Sequence, residues 1–593
     1  MSSRLEAGLV VAASVPDVTI TGVARAVGTS WELPIEIDAK ATSGFIARVT
    51  PWIAKIDRSY PYGAIGVFPA TNGMTATFQH QNTNREQTGT CRTGKLCLDH
   101  PYRNHTVVVG DDPIGDADTR LAWHFARAQE WVARATAGDL VREGDPFEIP
   151  KIDMSARSVR VIHDESRQSL PTWRPYVGHF GQVHFRRTPV SDTLVASKFT
   201  DRDRHVIQTS GLFPDGKQAQ GIHGVWWLWR RPIVVEPWKA VTRWSELATI
   251  GASQGIEAFA ALEEISHAVR DNGRVFLMLG YPIPSKVGGP DHEIHWETLL
   301  MPALTTAPPK GFRPSRKAWW QSDRRQFFGS KHLTKFVKTE NWHPDRVQAR
   351  GRLPESIYRK KAVIIGCGAL GSMMAELLIR GGLLDLRLID GEVLEAGNLA
   401  RHVLTSTSVG FGKAGALAKR LREISPNARV STVEHHLVDP QAVHDRLEDA
   451  DMVIDCTATN DVPALLAETY WSVPRRFISA SFGYAARHLF LFRSFGVKFP
   501  ANEFFAAVEP WLVKERRVWA QAEERIEGAG CYSPLFPARA DDIAAGAVAV
   551  VKFIEDTIEA INDEAELVVL QATRYGGFQP IKNDNEDVGV RAA

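Results

Sequence analysis

Between Lys360 and Thr405 the chain reads KKAVIIGCGALGSMMAELLIRGGLLDLRLIDGEVLEAGNLARHVLT. An apolar run from Ala362 to Ile365 enters Gly366, Gly368 and Gly371, and a helix-forming stretch and a second apolar run ending in Asp390 follow. Strand, glycine-rich turn and helix in this order lay a nucleotide's phosphates against backbone N–H groups at a helix N-terminus. This part of the chain is therefore expected to be an α/β, Rossmann-like nucleotide-binding domain. The glycines alone do not choose the nucleotide; the residues after them bear on that choice. A nicotinamide site needs a ribose carboxylate and little positive charge, whereas a triphosphate site needs cations that neutralise the departing pyrophosphate. Here Asp390 can hold a ribose, while Asn398, Arg401 and Lys413 supply donors and positive charge. A third apolar run, DMVIDCTATN, ends in Asp455, a carboxylate suited to a magnesium ion bridging phosphates.

The segments GCGALGS, LIDGEVLEAGNLARH, VGFGKAGAL and VIDCTA together resemble the adenylation domain of the ThiF/MoeB and ubiquitin-activating enzyme superfamily. The resemblance implies ATP and Mg as cofactors, with Gly366, Gly368 and Gly371 at the phosphates and Asp390 at the ribose. Asn398, Arg401 and Lys413 would line the triphosphate, Arg401 would act in adenylation itself, and Asp455 would be the metal ligand. A homodimer formed through this domain is implied as well.

A chain of 593 residues implies about three or four domains. A formal net charge of +1 gives no global pull towards nucleic acid or membrane. No apolar stretch approaches a membrane span, and the start MSSRLEAGLVVAASV lacks a basic segment and a cleavage site, so a cytoplasmic protein is expected. The five cysteines are scattered and odd in number, which fits a reducing compartment.

Three regions are expected: 1–148, 149–344 and 345–593. The first alternates short apolar runs with turns (PIEIDA, FIARVT, AIGVFPA, MTATFQH) as an antiparallel meander does. A helix follows, with Leu121, Phe125, Trp131 and Val132 at helical spacing. The middle region is mixed: strand-like SVRVIHD, GQVHFRRT and RVFLMLGYPI, a helix at SQGIEAFAALEEISHAVRD, and many Trp residues that suit an aromatic core or a partner surface. The polar end, KNDNEDVGVRAA, is expected to fray.

An adenylated carboxylate needs an acceptor. The stretch GAGCYSPLFPARADDIAAGAVAVVKFIEDTIEAI corresponds to a region that in simple ThiF/MoeB members resembles a Cys-Tyr-x-Cys-Leu-Phe-Pro zinc half-site, but Pro534 stands where the second Cys would be and no cysteine follows Cys531. Structural zinc needs four closing ligands. What remains is a lone Cys531, either a nucleophile that takes the acyl group from AMP as a thioester or a vestigial zinc cysteine. Cys367 and Cys456 read as small packing residues.

The order PYGAIGVFPATNGMTATFQHQN, then TGKLCLDHPYRNH, resembles a ubiquitin-conjugating enzyme with an α+β fold. The resemblance places the active-site cysteine at Cys97, inside Gly94-Lys95-Leu96-Cys97-Leu98-Asp99. The family's His-Pro-Asn is represented by His80-Gln81-Asn82, with Gln81 in place of Pro. Asn82 could steady the oxyanion formed when an amine attacks a thioester, or be a turn residue. Cys91, in the polar loop TGTCRTG, is the rival nucleophile, and a buried strand cysteine is the alternative for Cys97.

Activating and conjugating halves in one chain suggest a relay: adenylation of a protein's C-terminal carboxylate, a thioester on Cys531, transfer to Cys97, and conjugation to an amine. Fusion raises the effective concentration of the second thiol. The order of domains resembles the bacterial type II CBASS anti-phage fusions, which implies a cGAS/DncV-like nucleotidyltransferase as the conjugated partner and no direct contact with nucleic acid or membrane. Three other classes stay open: a sulfur-carrier adenylyltransferase, an NAD-binding Rossmann oxidoreductase, and a non-catalytic scaffold.

Overall fold

A computed structural model describes residues 3–98, 112–152, 154, 159–190, 192–214, 216–270, 272–304, 315–520, 526–527, 533–534, 536–560 and 563–581. The chain forms two compact units, Met1–Ser210 with Pro214–Trp342, and Gly211–Phe213 with His343–Ala593. The fold class is mixed α/β. Among the described residues no helix is long and apolar enough to cross a membrane.

The first unit opens with an antiparallel meander in the order Val18–Ile20, Ser30–Asp38, Val49–Asp57, Ile65–Pro69, with Arg25–Val27 paired to Ser30–Asp38. The helix Arg120–Ala137 buries Leu121, Phe125, Ala128, Trp131, Val132 and Ala135, the stripe expected from its spacing. Two expected strands differ. The second begins at Val49 rather than Phe45, because the Ser43 hydroxyl accepts the N–H groups of Phe45 and Ile46 and closes a turn there. MTATFQH forms no ladder: Asn84 donates to the carbonyls of Met74 and Ala76, and the Gln81 side chain accepts the Phe78 N–H.

The same unit continues into an eight-stranded sheet. Arg160–His163 pairs with both Phe336–Asn341 and Thr193–Thr200, so the ladder returns on itself and closes a ring. Arg274–Pro284, the longest strand, is parallel to Ile222–Leu228 and antiparallel to Asp291–Leu300. Most of the region's Trp residues are core: Trp226 packs with Trp173 and Trp296 in one cluster, and Trp227 with Trp229 in another, as alternating side chains of one strand must. Gly255, at φ +69, ends the helix Glu246–Gln254, so the single helix expected over SQGIEAFAALEEISHAVRD is divided there and resumes as Ala258–Val269.

The second unit is a doubly wound sheet in the order Arg429–Val433, Asp385–Ile389, Lys361–Ile365, Met452–Asp455, Arg475–Phe482, His488–Gly496, Glu566–Ala572, Phe578–Ile581. The first five strands run parallel and the last three are antiparallel additions. Ala362 and Ile364 face the helices Ala369–Arg380, Lys413–Ile424 and Ala540–Glu559, while Val363 and Ile365 enter the opposite layer. Strand order reverses between Lys361–Ile365 and Met452–Asp455. In open α/β sheets, the crevice outside the carboxyl ends at such a point is where ligands bind.

Candidate active site

Three neighbouring strands deliver the second unit's chemistry at one edge. Ile365 is in register with Ile389 on one side and with Asp455 on the other, so Gly366, Asp390 and Asp455 leave the sheet together. Gly366 has φ +90, and a Cβ there would lie 3.0 Å from backbone atoms of Cys456 and Thr457. A Cβ on Gly371 would lie 2.0 Å from the Gly366 carbonyl oxygen. These two glycines let the turn fold tightly onto the helix. Gly368 differs: it is the N-cap of Ala369–Arg380, no side chain caps that end, and a Cβ would meet nothing within 4 Å. Free N–H groups and open space at a helix N-terminus suit a phosphate.

Asp390 is tied to this turn, accepting the Cys367 N–H at 2.7 Å on one oxygen and the Glu392 N–H at 2.7 Å on the other. Lys413, only 8% exposed at its side chain, donates to the Glu392 carboxylate. Asn398 caps a short helical turn, its Oδ1 accepting the Glu395 N–H at 3.0 Å. Arg401 donates to the Phe536 carbonyl, and its guanidinium lies 5.7 Å from that ring. The hydrogen-bond chain thus joins the glycine turn, Asp390 and Lys413; Asn398 and Arg401 sit on the adjoining loop.

Two further residues were not legible from the motif. His402 Nδ1 accepts the Leu404 N–H at 3.1 Å, which leaves Nε2–H to donate to the Cys367 carbonyl at 2.7 Å. Burial lowers its pKa and Lys413 adds to that, so the imidazole is a neutral tie between the loop and the phosphate turn. Thr457 donates to Asp455 from its N–H at 3.0 Å and its hydroxyl at 2.6 Å.

Asp455 is 3% exposed. Its other oxygen accepts from Ser479 at 3.3 Å, and among the described residues no cationic side chain pairs with it. Burial pushes its pKa up, with Thr457 and Ser479 opposing. A buried carboxylate bonded only to neutral donors fits a hard divalent cation. Cys367 and Cys456 thiols are held well above their usual range by burial, which suits packing rather than reaction. Cys531 lies outside the described residues.

The other cysteines belong to the first unit. Cys91 is 1% exposed and packs with Ile53 and Ala70, whereas Cys97 is exposed. Gln81 and Leu96 form an antiparallel bridge, flanked by Cys97 N–H to His80 O at 2.8 Å and Asn82 N–H to Lys95 O at 2.9 Å. Gln81 and Leu96 are buried, so Asn82, Lys95 and Cys97 lie on the opposite, outer face. The Gln81 amide spans the turn, accepting the Phe78 N–H at 3.0 Å and donating to the Gly94 carbonyl at 3.1 Å. Where the conjugating family has Pro, this chain therefore holds the turn with hydrogen bonds.

Comparison with known proteins agrees with this geometry. A family model described as the Cap2 central linker domain matches residues 138–342, and the ThiF family model matches residues 346–492. An ATP-dependent ubiquitin transferase-like protein Cap2 from Enterobacter hormaechei subsp. hoffmannii (strain UCI 50) is 32% identical over 516 residues, covering 84% of each chain. The chain belongs to the Cap2 family. It is an enzyme with a ThiF-type adenylation domain, and the expected relationship to the fused activating and conjugating proteins holds. An adenylyltransferase and sulfurtransferase, uba4 of Emericella nidulans, is 34% identical over 122 residues, 20% of this chain and 25% of its own. Among solved structures, E. coli MccB with AMPCPP and MccA matches 37% of this chain and 62% of its own at 16% identity, with a TM-score of 0.27.

Proposed function

We propose that this Cap2-family enzyme is a self-contained activating and conjugating relay. A protein's C-terminal carboxylate oxygen attacks the α-phosphorus of ATP and pyrophosphate leaves. The Cys531 thiolate attacks the acyl carbon and AMP leaves; the Cys97 thiolate then displaces Cys531. An amine finally takes the acyl group from Cys97. The Gly366–Gly371 turn receives phosphates on its N–H groups, Asp390 holds the ribose, and Asn398, Arg401 and Lys413 neutralise the triphosphate. Arg401 serves the adenylation step. Asp455 would hold magnesium, which would supply charge neutralisation at the phosphates.

The observation that carries this reading is the exposed Cys97, on one outer face with Asn82, in a chain that also contains a ThiF-type phosphate turn. Burial of Cys91 supports Cys97 as the conjugating nucleophile. The family membership supports an anti-phage setting of the CBASS type, with a cGAS/DncV-like nucleotidyltransferase as the protein substrate, a cytoplasmic location and a homodimeric enzyme.

The test is trapping from cells. The chain is expressed with its neighbouring genes as wild type, Cys97→Ala, Cys531→Ala and the double variant, then run on non-reducing gels with and without thiol. A thiol-labile, ATP-dependent adduct that survives in Cys97→Ala and is lost in Cys531→Ala and in the double variant supports the relay, and mass spectrometry identifies the acyl protein. An absence of adduct in every form would replace the relay with sulfur-carrier activation. Arg401→Ala should abolish adenylate formation, whereas Cys531→Ala should spare it and block the thioester.

A further inference from the structure

The outer face around Cys97 is completed by a segment from farther along the chain. Residues 148–151 run beside residues 80–83: the Glu148 carboxylate accepts the His80 backbone N–H at 3.0 Å, and the Thr83 hydroxyl donates to the Lys151 carbonyl at 3.4 Å. Between these anchors, Lys151 Nζ donates to Asn82 Oδ1 at 2.7 Å. A lysine ammonium has donors and no acceptor, so it dictates which end of a carboxamide faces it. Oδ1 is held, and the Asn82 NH2 is turned away with no partner among the described residues. Asn84 provides the contrast. Its NH2 donates to the carbonyls of Met74 and Ala76 at 2.8 and 2.9 Å, and its oxygen accepts Arg92 Nε at 2.9 Å, leaving nothing for a substrate.

The bridge sets what this NH2 can reach. Asn82 and Cys97 are diagonal neighbours across the Gln81–Leu96 bridge on the same face, and such pairs sit roughly 7–8 Å apart between Cα atoms.

We propose that Lys151 is a positioning residue for aminolysis: it orients and polarises the Asn82 carboxamide towards the thioester carbonyl on Cys97. In that step the amine nitrogen bonds to the acyl carbon and the carbonyl electron pair moves onto oxygen, which accepts from Asn82 Nδ2. Collapse re-forms the carbonyl, breaks the C–S bond and expels the Cys97 thiolate; the amine proton passes to water. The inference rests on the relay reading, because it presupposes a thioester on Cys97.

The test uses the full chain isolated from cells as its thiol-labile adduct, with the acyl group located on Cys97 by mass spectrometry of the digested adduct. The adduct is chased with free L-lysine at fixed pH, following its loss in a single turnover. Lys151→Met should slow discharge about tenfold, less than the hundred- to thousandfold loss typical of a deleted oxyanion donor. Lys151→Arg, also a pure donor, should restore most of the rate. In an Asn82→Ala background Lys151→Met should have no further effect. Wild-type discharge by Lys151→Met, or additive losses in the double variant, would overturn the proposal while leaving the relay intact. A wild-type chain never charged on Cys97 would instead overturn the relay, and this inference with it.

Discussion

Gly368→Ala and Gly371→Ala should separate nucleotide binding from folding. A methyl at position 371 would sit 2.0 Å from the Gly366 carbonyl oxygen, so that backbone must move by about 1 Å or more to reach an ordinary contact, an overpacking cost of about 2–3 kcal/mol. For a unit of this size, each kcal/mol lowers the melting temperature by about 2–4 °C, which gives a drop of about 4–12 °C. At position 368 the backbone has φ −70 and nothing lies within 4 Å of the added Cβ. The only folding penalty is the poorer N-cap preference of Ala, about 0.5–1 kcal/mol. The open space is, however, where phosphates approach the helix N-terminus, and a methyl inserted there should weaken ATP binding about tenfold or more. Calorimetric titration of the full chain with MgATP, beside thermal unfolding without nucleotide, measures both quantities. A Gly368→Ala protein that melts as low as Gly371→Ala, or that binds ATP like wild type, would refute the assignment of this turn.

Two further outcomes concern the first unit and are read by urea unfolding. Arg120 grips Asp112 with paired bonds of 2.7 and 2.8 Å and also donates to the carbonyls of Pro61 and Gly63 at 2.6 Å, so Arg120→Met should cost about 3–5 kcal/mol and the Asp112→Asn, Arg120→Met pair distinctly less. Burial raises the Asp112 carboxyl, but Arg120 and His124 overcome it and hold the pKa well below the usual range; its stabilisation is therefore present above pH ~4 and lost on acidification. Glu165 has the opposite sign. Burial raises it to about 7 despite bonds from Ser169, Trp296 and Trp173, so its contribution is full below pH ~4.5 and lost as pH rises through 7. Glu165→Gln should flatten that fall in stability between pH 5 and 8, and an unchanged slope would refute the attribution.

Local periodicity was legible where side chains face one uniform layer. The Leu121, Phe125, Trp131 and Val132 stripe announced its helix because that face enters one apolar cluster shared with the meander and with the first helix, Ser3–Ala12. The strand expected at MTATFQH failed for a chemical reason: the amides of Gln81 and Asn84 bond the backbone groups that a neighbouring strand would have taken. An alternating pattern cannot reveal such competition, because the competing groups lie outside it. The closed ring of the middle region was equally hidden. Its closing pair joins Arg160–His163 to Thr193–Thr200 and to Phe336–Asn341, and nothing local in any of these strands names its partners.

The sites divide along the same line. The glycine turn, Asp390 and Asp455 were readable because one motif places each at the end of its own strand, and parallel register then aligns them. His402 and Lys151 were not, since each acts through a single bond to a residue distant in sequence, the Cys367 carbonyl and the Asn82 oxygen. The Gln81 substitution shows why such bonds matter more than motif letters. Read as a string, His-Gln-Asn is a damaged His-Pro-Asn; in the fold, the Gln81 side chain links Phe78 to Gly94 and keeps residues 80–82 beside 95–97. A proline would restrict the backbone at that turn, whereas glutamine braces it from both sides with two hydrogen bonds. Asn82 can then stand opposite Lys95 with its NH2 unpartnered among the described residues, so loss of the proline removes a signature and keeps the geometry that an oxyanion donor needs.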